Sequence, residues 1–302
     1  MKIVLAGGSG SLGRRLAADL ASRGHEVVIL TRSPQSSSPY RQVAWDGATA
    51  GAWAPELEGA AIINLAGALV DRRPTPANVE LLTRSRVEPI RALVAAAATL
   101  TTPPAVWIQA STLAIYGDAG EAVLDESSPP ADGPPQMAGV ARAWEAAAAE
   151  VPAARQLLMR TGIVLDRGTP AMDRLTGLVR WGLGGRIASG RQWVSWIHID
   201  DFLAVVRGAL DDEGLSGVLH VTSPNPVRNA ELMATLRKVL HRPAAPPTPA
   251  PLVRLGARIL GTDPALALTG RRCVPARLLE ADFRFAYPTL DAALEDLLSN
   301  RS

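Results

Sequence analysis

The first thirteen residues, MKIVLAGGSGSLG, decide the fold. Residues 2–6 form an apolar run of the length of a buried parallel strand. Gly7, Gly10 and Gly13 follow at the spacing of a tight turn that leads from a strand into a helix, and residues 11–23 carry leucines at helical spacing. This stretch predicts a helix N-terminus whose amide groups bind a dinucleotide pyrophosphate. The alternative is a glycine-rich turn without a ligand.

Strand-like and helical segments alternate after this unit, which indicates an α/β fold with a Rossmann-type, doubly wound parallel sheet. We expect residues 1–165 to form this domain, interleaved with about 192–225. Residues 166–302 then form a smaller, mainly helical substrate-side lobe, with a C-terminal helical module at about 250–302. Further buried strands are predicted at residues 26–31, 42–45, 60–65, 105–110, 155–165 and 217–221, and helices at 77–100, 140–151, 200–210 and 230–240.

Composition excludes several classes of protein. A net charge of +2 does not favour a nucleic-acid or membrane surface, and the longest apolar helical stretch, residues 92–100, is far shorter than a membrane span. The single cysteine, Cys273, cannot form an intrachain disulfide, so we expect a cytoplasmic protein. No histidine has a second ligand at metal-site spacing, so no metal is expected. The histidines are His25, His198, His220 and His241.

The end of the second strand bears on the choice of cofactor. NAD-specific sites usually place an acid there to bind the ribose 2′-hydroxyl, but Arg32 stands at this point, 19 residues after Gly13. A guanidinium suits a 2′-phosphate, and Thr31 and Ser33 add hydroxyl groups. NADP(H) is therefore favoured over NAD(H). The alternative is that Arg32 is a solvated surface arginine.

Other cofactor contacts are expected at the ends of the third, fourth and fifth strands. Asp46 either meets the adenine amino group or is a turn residue, and the two interpretations stay open. Small residues after the fourth strand let the chain pass beside the cofactor. The predicted cofactor-binding residues are Gly7, Gly10, Ser11, Leu12, Gly13, Thr31, Arg32, Ser33, Asp46, Leu65, Ala66, Gly67 and Ala110.

With these motifs the chain resembles the extended short-chain dehydrogenases/reductases. Later segments narrow the resemblance to an atypical "epimerase family", labelled nucleoside-diphosphate-sugar epimerase or, by a misnomer, SulA-type cell-division inhibitor, with a C-terminal domain of unknown function. The segments that carry it are NLAG at 64–67, SRV at 85–87, STLAIYG at 111–117, WE at 144–145, RTGIVL at 160–165, GGR at 184–186, SGRQW at 189–193, SWIHIDD at 195–201, VPARLL at 274–279 and FRFAYP at 283–288.

The resemblance implies a proton relay that this chain lacks. Ordinary members of the superfamily use a tyrosine with a lysine four residues later, and the lysine lowers the tyrosine pKa. The expected positions hold Met137 and Ala141, and neither lysine, Lys2 or Lys238, follows a tyrosine at that spacing. Relatives that act on sugar nucleotides also place an arginine where this chain has Val194.

Other residues must then supply the chemistry. We expect Ser111, Thr112 and Tyr116 to be catalytic, with Thr112 where the superfamily bonds the reacting oxygen; Tyr116 is alternatively a substrate wall. Glu145 is expected to be a helix-surface carboxylate and His198 a core histidine. Arg86 reaches a substrate anion or ties down a loop, and the tryptophans line the cleft or the core. The predicted substrate residues are Arg86, Arg191, Trp193 and Trp196.

Two functions fit these observations. One is an NADP(H)-dependent enzyme, either an oxidoreductase or an epimerase, which is a kind of isomerase. It would act on a small molecule and use a non-standard acid of its own. The other is a non-catalytic NADP-binding sensor or interaction protein, which the missing relay favours. Superfamily relatives often dimerise through the helices after the fourth and fifth strands, so a homodimer is one expectation, but the alanine-rich face of residues 92–98 equally suits a core.

Overall fold

Alternate residues of the first strand belong to different apolar layers. Ile3 and Leu5 pack into one hydrophobic cluster, and Val4 and Ala6 pack into another. Consecutive side chains of a strand point to opposite faces, so this strand is buried on both sides, as in a parallel sheet between two layers of helices. The computed structural model of the protein describes residues 1–299 and has this architecture.

The strands build one large sheet and three small two-stranded pairings. In the described residues they are β1 (Lys2–Ala6), β2 (Glu26–Thr31), β3 (Arg41–Ala44), β4 (Ala61–Asn64), β5 (Val106–Thr112), β6 (Val123–Leu124), β7 (Gln156–Thr161), β8 (Ile163–Leu165), β9 (Trp193–Val194), β10 (Trp196–His198), β11 (Gly217–Val221), β12 (Val227–Arg228) and β13 (Arg272–Cys273). The large sheet is entirely parallel, in the order β11-β7-β5-β4-β1-β2-β3.

Helices cover the sheet and form most of the C-terminal region. They are α1 (Ser11–Ser22), α2 (Pro76–Ala97), α3 (Val140–Ala147), α4 (Pro170–Arg180), α5 (Ile199–Asp211), α6 (Asn229–Val239), α7 (Ala250–Leu260), α8 (Ala265–Leu268), α9 (Ala276–Glu280) and α10 (Leu290–Leu298). Two 3₁₀ helices span Ala54–Leu57 and Leu113–Tyr116, and a π-helical turn spans Pro135–Gly139. Within residues 1–299, none of the helices has the length and apolarity needed to cross a membrane.

The two faces of the sheet have separate cores. On one face, Leu16 of α1 and Phe202 of α5 share a cluster with the inward residues of α10. On the other face, Leu93 of α2 packs with Trp53 and Trp107. Each face is therefore closed by helices, and the fold is the doubly wound α/β sheet that the sequence predicts.

The later half of the chain is joined to the sheet in several places. The edge strand β11 pairs with β7 along the register Gly217↔Leu157 to Val221↔Thr161. Further along, β13 pairs with β6, and Ala119 N donates to Gly270 O at 3.1 Å. The C-terminal region is mainly helical, as expected, and its contacts place it beside the chain that leaves β5.

Candidate functional site

The parallel sheet brings the ends of distant strands to one edge. In its register Ala6 lies beside Leu30 and Asn64, and Asn64 lies beside Gln109. The residues that follow β1, β2, β4 and β5 therefore share the carboxyl edge of the sheet, where ligands of such folds bind. The predicted cofactor residues and Thr112 all come from this edge.

The glycine turn is packed so closely that side chains would not fit. Gly7 has a φ of +79°, and a Cβ added there would lie 2.8 Å from Ala66 N. A Cβ on Gly13 would lie 2.5 Å from Gly8 Cα. The end of β4 thus runs directly against the turn after β1, and α1 starts tight against it.

The first turn of α1 is open to an anion. Its N-cap is Gly10, which offers no capping side chain, and the turn contains no acidic residue. The first backbone bond of the helix is from Arg14 N to Gly10 O at 2.9 Å, so the amide groups of Ser11, Leu12 and Gly13 have no helical acceptor. Free amide groups and the positive end of the helix dipole fit the diphosphate of a dinucleotide.

The residues after β2 suit a phosphate at the adenosine end. Arg32 is exposed, and in residues 1–299 it has no hydrogen bond or ion pair. Thr31 is buried, and its Oγ1 accepts a bond from Ser33 N at 3.4 Å. A free guanidinium held on a short turn is what a 2′-phosphate requires.

Asp46 is engaged within its own turn. Its Oδ1 accepts from Ala48 N and Thr49 N, both at 2.8 Å, and its Oδ2 accepts from Thr49 Oγ1 at 2.6 Å. The side-chain bond from Thr49 and the two amide bonds lower the pKa of Asp46. Its interpretation as a turn residue therefore has direct structural support, while a contact with adenine stays a prediction.

The remaining cofactor candidates line the space in front of the glycine turn. Leu65 and Ala66 are half-buried and Gly67 is exposed. Ala110, on β5, is also half-buried. Together with the open helix terminus, these residues fit a nicotinamide dinucleotide, because small side chains here leave the backbone accessible.

The two hydroxyl residues at the end of β5 differ in their surroundings. Ser111 is buried, and its Oγ donates a hydrogen bond to Glu145 Oε1, so it is not available to a substrate as the sequence suggests. Thr112 is partly exposed, and its Oγ1 accepts a bond from Ala114 N at 3.1 Å. The hydroxyl hydrogen of Thr112 remains free to be donated to an oxygen in the cleft.

Glu145 is not the surface carboxylate expected from the sequence. Arg160 Nε donates to its Oε1 at 2.9 Å and Arg160 Nη2 to its Oε2 at 2.8 Å. The side chains of Arg160 and Glu145 are 7% and 13% exposed. Burial favours loss of the Arg160 proton, but its bonds to Glu145 outweigh this and raise the pKa of Arg160. The sequence shows both residues in family motifs but does not show that they meet.

Tyr116 lies inside this buried network rather than in the cleft. Its hydroxyl accepts a bond from Arg160 Nη1 at 2.7 Å, and it lies 2.7 Å from His220 Nε2 and 3.1 Å from Asp125 O. His220 Nδ1 lies 3.0 Å from Val274 O, which can only accept, so the ring proton is on Nδ1 and Tyr116 donates to Nε2.

The protonation of both rings follows from their burial. Burial raises the pKa of Tyr116 to about 12, although Arg160 acts against the shift. Burial lowers the pKa of His220 to about 4. Near neutral pH Tyr116 is thus protonated and His220 neutral. The expectation that Tyr116 exchanges a proton with substrate does not agree with this geometry, because its hydroxyl is enclosed by protein partners.

Two of the expected substrate residues are structural. Trp196 is completely buried, and its Nε1 donates to Asn225 O at 3.1 Å. Arg86 is buried, donates to Leu82 O and Ala68 O at 3.1 and 3.0 Å, and lies over the ring of Trp144. Neither side chain reaches a cleft, so the substrate role is corrected for both. Arg86 ties down the loop after β4, which was the alternative interpretation.

The other two remain predictions. Trp193 is half-buried, and its Nε1 donates to Glu121 Oε2 at 3.1 Å. The guanidinium groups of Arg228 and Arg272 lie 4.0 and 4.6 Å from its ring centroid. Arg191 is exposed, with its Nη2 3.6 Å from Glu121 Oε1. In this surface cluster Arg191 and Arg228 share the single carboxylate of Glu121, and Arg272 adds a further positive charge.

Met137 and Ala141, which stand at the two relay positions, lie at or just before the start of the helix that includes Glu145. Met137 lies partly exposed in the π-helical turn Pro135–Gly139, and Ala141 is buried near the start of α3. Ala141 packs in one apolar cluster with Tyr116 and Cys273. Neither of these two positions carries a group that can exchange a proton, and the one carboxylate of α3, that of Glu145, is bound by Arg160.

His198 forms a different cluster with two carboxylates. His198, Asp200 and Asp296 offer atoms within 4.8 Å of one another, but His198 Nδ1 accepts a bond from Asp200 N at 3.1 Å. The neutral ring therefore carries its proton on Nε2, which lies 3.4 Å from Asp296 Oδ2. A neutral imidazole has one lone pair on its ring nitrogens, and Asp200 N already occupies it, so the ring offers none to a metal. The cluster is therefore better explained as a buried N-cap of α5 than as a metal centre. His198 is 1% exposed, as expected of a core histidine.

Comparison with known proteins shows the family of this chain. A sequence profile of the NAD dependent epimerase/dehydratase family matches residues 3–139, and a domain of unknown function, DUF1731, matches residues 248–297. "Epimerase family protein SDR39U1" of Bos taurus is 34% identical over 306 residues, which cover 99% of this chain and 100% of the relative. The chain belongs to the epimerase family.

Two further members extend the comparison. "Epimerase family protein YfhF" of Bacillus subtilis is 33% identical to this epimerase-family chain, with coverage of 100% of this chain and 99% of the relative. The crystal structure of human epimerase family protein SDR39U1 with NADPH superposes with a TM-score of 0.87 at 32% identity, covering 99% of this chain and 100% of the human chain. The family assignment thus extends through the C-terminal domain.

Proposed function

We propose that this protein binds NADP(H) along the carboxyl edge of its sheet and acts as an oxidoreductase or epimerase on a small molecule beside Thr112. The observation that carries the proposal is the open N-terminus of α1, with the unpaired Arg32 at the end of the neighbouring strand. These two features offer positive charge at both phosphate positions of NADP(H). A cytoplasmic location and a small-molecule substrate belong to the same proposal.

Each part of the cofactor has residues that would hold it. The amide groups of Ser11, Leu12 and Gly13 would bind the diphosphate, and Arg32 the 2′-phosphate. The bound cofactor supplies hydride chemistry that no side chain provides. The NADPH in the crystal structure of the human relative supports this choice of cofactor. The absence of an acid at position 32 supports NADP(H) over NAD(H).

Thr112 is the residue best placed to assist the reaction. Its Oγ1 is oriented by Ala114 N, and its hydroxyl hydrogen can be donated to a substrate oxygen as negative charge develops there. Because Met137 and Ala141 replace the relay, the substrate oxygen would take its proton from solvent in the reducing direction and release it to solvent in the oxidising direction. Thr112 therefore stabilises charge but does not act as a base.

A substrate panel tests the proposal. NADPH oxidation is followed with aldehydes and ketones, and the epimerisation of nucleoside-diphosphate sugars, which consumes no net cofactor, is followed by chromatography of the sugar products, using wild type, Thr112→Ser and Thr112→Val. We expect turnover with at least one class, retained within about tenfold in Thr112→Ser and reduced by about 100-fold or more in Thr112→Val, the loss typical of one such donor. Equal rates in the two variants would remove Thr112 from the mechanism.

The second candidate is a protein that binds NADP(H) without turnover. The apolar residues Met137 and Ala141 at the relay positions favour it, because they remove the group that normally moves the proton. It predicts tight NADPH binding with no turnover across the whole panel. The two candidates thus differ in the same experiment.

A further inference from the structure

Arg271 is a partly buried arginine without an anionic partner. Its Nη2 lies 3.5 Å from Thr269 Oγ1, which is at the limit of a hydrogen bond, and its Nε is buried without any partner. In residues 1–299 no carboxylate oxygen lies within 4.0 Å of its guanidinium. Asp118 is near enough to act on it electrostatically, but one of its oxygens accepts a bond from Gly270 N.

Two other buried arginines of this chain, Arg160 and Arg86, are compensated. Arg160 forms two bonds to Glu145, and Arg86 bonds two carbonyl oxygens and lies over Trp144. Arg271 has neither arrangement; burial lowers its pKa, as it also lowers that of Arg86. A desolvated guanidinium with unused donors is costly unless an anion binds it, and its planar fork matches the oxygens of a carboxylate or phosphate.

The position of Arg271 is next to the end of β5. Cys273, two residues later, packs with Leu113 and Tyr116 in one apolar cluster. Arg271 is close enough to Cys273 to act electrostatically on its thiol. Leu113 directly follows Thr112, so Cys273 lies against the segment that carries the proposed reacting centre, and Arg271 immediately precedes the short strand β13 that contains Cys273.

A second arginine without an ionic partner in the described residues lies in the loop after β4, beside the π-helical turn Pro135–Gly139. Arg72 Nε is buried without a partner, and Arg72 has no ion pair in residues 1–299. Gln136 Nε2 donates to Arg72 O at 2.8 Å, which places Arg72 beside the π-helical turn that contains Met137. The buried Gln136 Oε1 also lacks a partner. The loop itself is fixed, because Asp71 pairs with Arg174 and accepts a bond from Thr262.

We propose that Arg271, assisted by Arg72, binds an oxyanion of the substrate, a carboxylate or a phosphate group. The inference rests on the proposed function in one respect: the molecule whose oxyanion is bound must be the substrate that reacts beside Thr112. Arg271 is contributed by the C-terminal domain of unknown function. That domain thereby has a role, which is to select an anionic substrate.

The test uses two probes, inorganic phosphate and malonate, titrated by calorimetry into the full-length protein with and without NADPH. We expect wild type to bind at least one probe, and Arg271→Gln to bind it at least tenfold more weakly, the scale of a charge-assisted bond. Arg271→Lys, which keeps the charge but not the fork, should lose less. Arg254→Gln, an exposed arginine of the same domain, is the matched control and should bind like wild type. Preference between the probes identifies the anion as phosphate or carboxylate.

The outcomes separate this site from the cofactor site. Failure of wild type to bind either probe would overturn the inference without reference to any variant. Equal binding by Arg271→Gln, or an equal loss in Arg254→Gln, would also overturn it. If NADPH does not bind but the anion binds in an Arg271-dependent manner, the proposed function fails while the anion site stands. Circular dichroism of each variant confirms that it is folded.

Discussion

Arg160 donates two hydrogen bonds to the carboxylate of Glu145, from Nε at 2.9 Å and from Nη2 at 2.8 Å. The pair joins β7 to α3 and is almost completely buried. The third nitrogen of the same guanidinium donates to Tyr116, and Ser111 donates to Glu145. One ion pair thus organises the corner that follows β5, in the chain where the usual tyrosine–lysine pair is absent.

Removing one half of this pair should destabilise the fold strongly. Glu145→Gln leaves a buried guanidinium without its counter-charge, and we expect a loss of about 3–5 kcal/mol in the free energy of unfolding, measured by urea titration. The double variant Glu145→Leu, Arg160→Met should recover much of this loss. Asp132→Asn, which breaks the exposed pair with Arg142, is the control and should change little. A loss in Glu145→Gln no larger than the control would contradict this account of the corner.

The buried His220 makes stability depend on pH. Its folded pKa of about 4 lies below the ordinary value of 6.5, so between these values the unfolded chain binds a proton that the folded chain excludes. Stability therefore falls as pH decreases from about 6.5 to about 4, by about 3 kcal/mol in total. The pH dependence over this window should be markedly weaker in His220→Gln, measured by urea unfolding at about pH 7.5 and about pH 5. The same slope in both proteins would show that His220 is not the group responsible.

Two helical glycines should respond oppositely to alanine. In Gly13→Ala the new Cβ would lie 2.5 Å from Gly8 Cα, so the turn must shift, at a cost of about 1–3 kcal/mol and with loss of NADPH binding. Gly177, inside α4, has open space at the same point, so Gly177→Ala should stabilise the protein by about 0.5–1 kcal/mol and leave NADPH binding intact. Thermal unfolding and a fluorescence titration with NADPH measure both effects. Similar behaviour of the two variants would argue against a tightly packed turn.

The cofactor side of the site could be predicted because its signals are local. Gly7, Gly10 and Gly13 lie within one turn, and Arg32 ends the next strand, so spacing along the chain fixes their positions. Even within the sheet, one strand prediction is inaccurate because the strand's end depends on a contact with a residue distant in the sequence. The strand expected at residues 155–165 is divided at Gly162, where a Cβ would meet Ser195 O at 2.7 Å and the chain leaves the sheet for β10.

The chemistry beside β5 could not be predicted in the same way. Glu145 is 15 residues before Arg160, and His220 is 104 residues after Tyr116, so only the folded chain shows that they meet. An exposed and a buried carboxylate on a short helix give the same sequence pattern. Residue type predicts substrate contacts for Trp196 and Arg86, but it does not show whether a side chain faces a cleft or the core.

The measurement that tests the central claim most directly is calorimetric titration with NADPH and NADH of wild type and Arg32→Ala. The free guanidinium of Arg32 at the end of β2 should make wild type bind NADPH at least tenfold more tightly than NADH, as expected for a charge-assisted contact with the 2′-phosphate. Arg32→Ala should lose that preference and bind NADH as wild type does. Equal binding of the two dinucleotides by wild type, or a preference that survives in Arg32→Ala, would contradict the assignment of NADP(H) to this site.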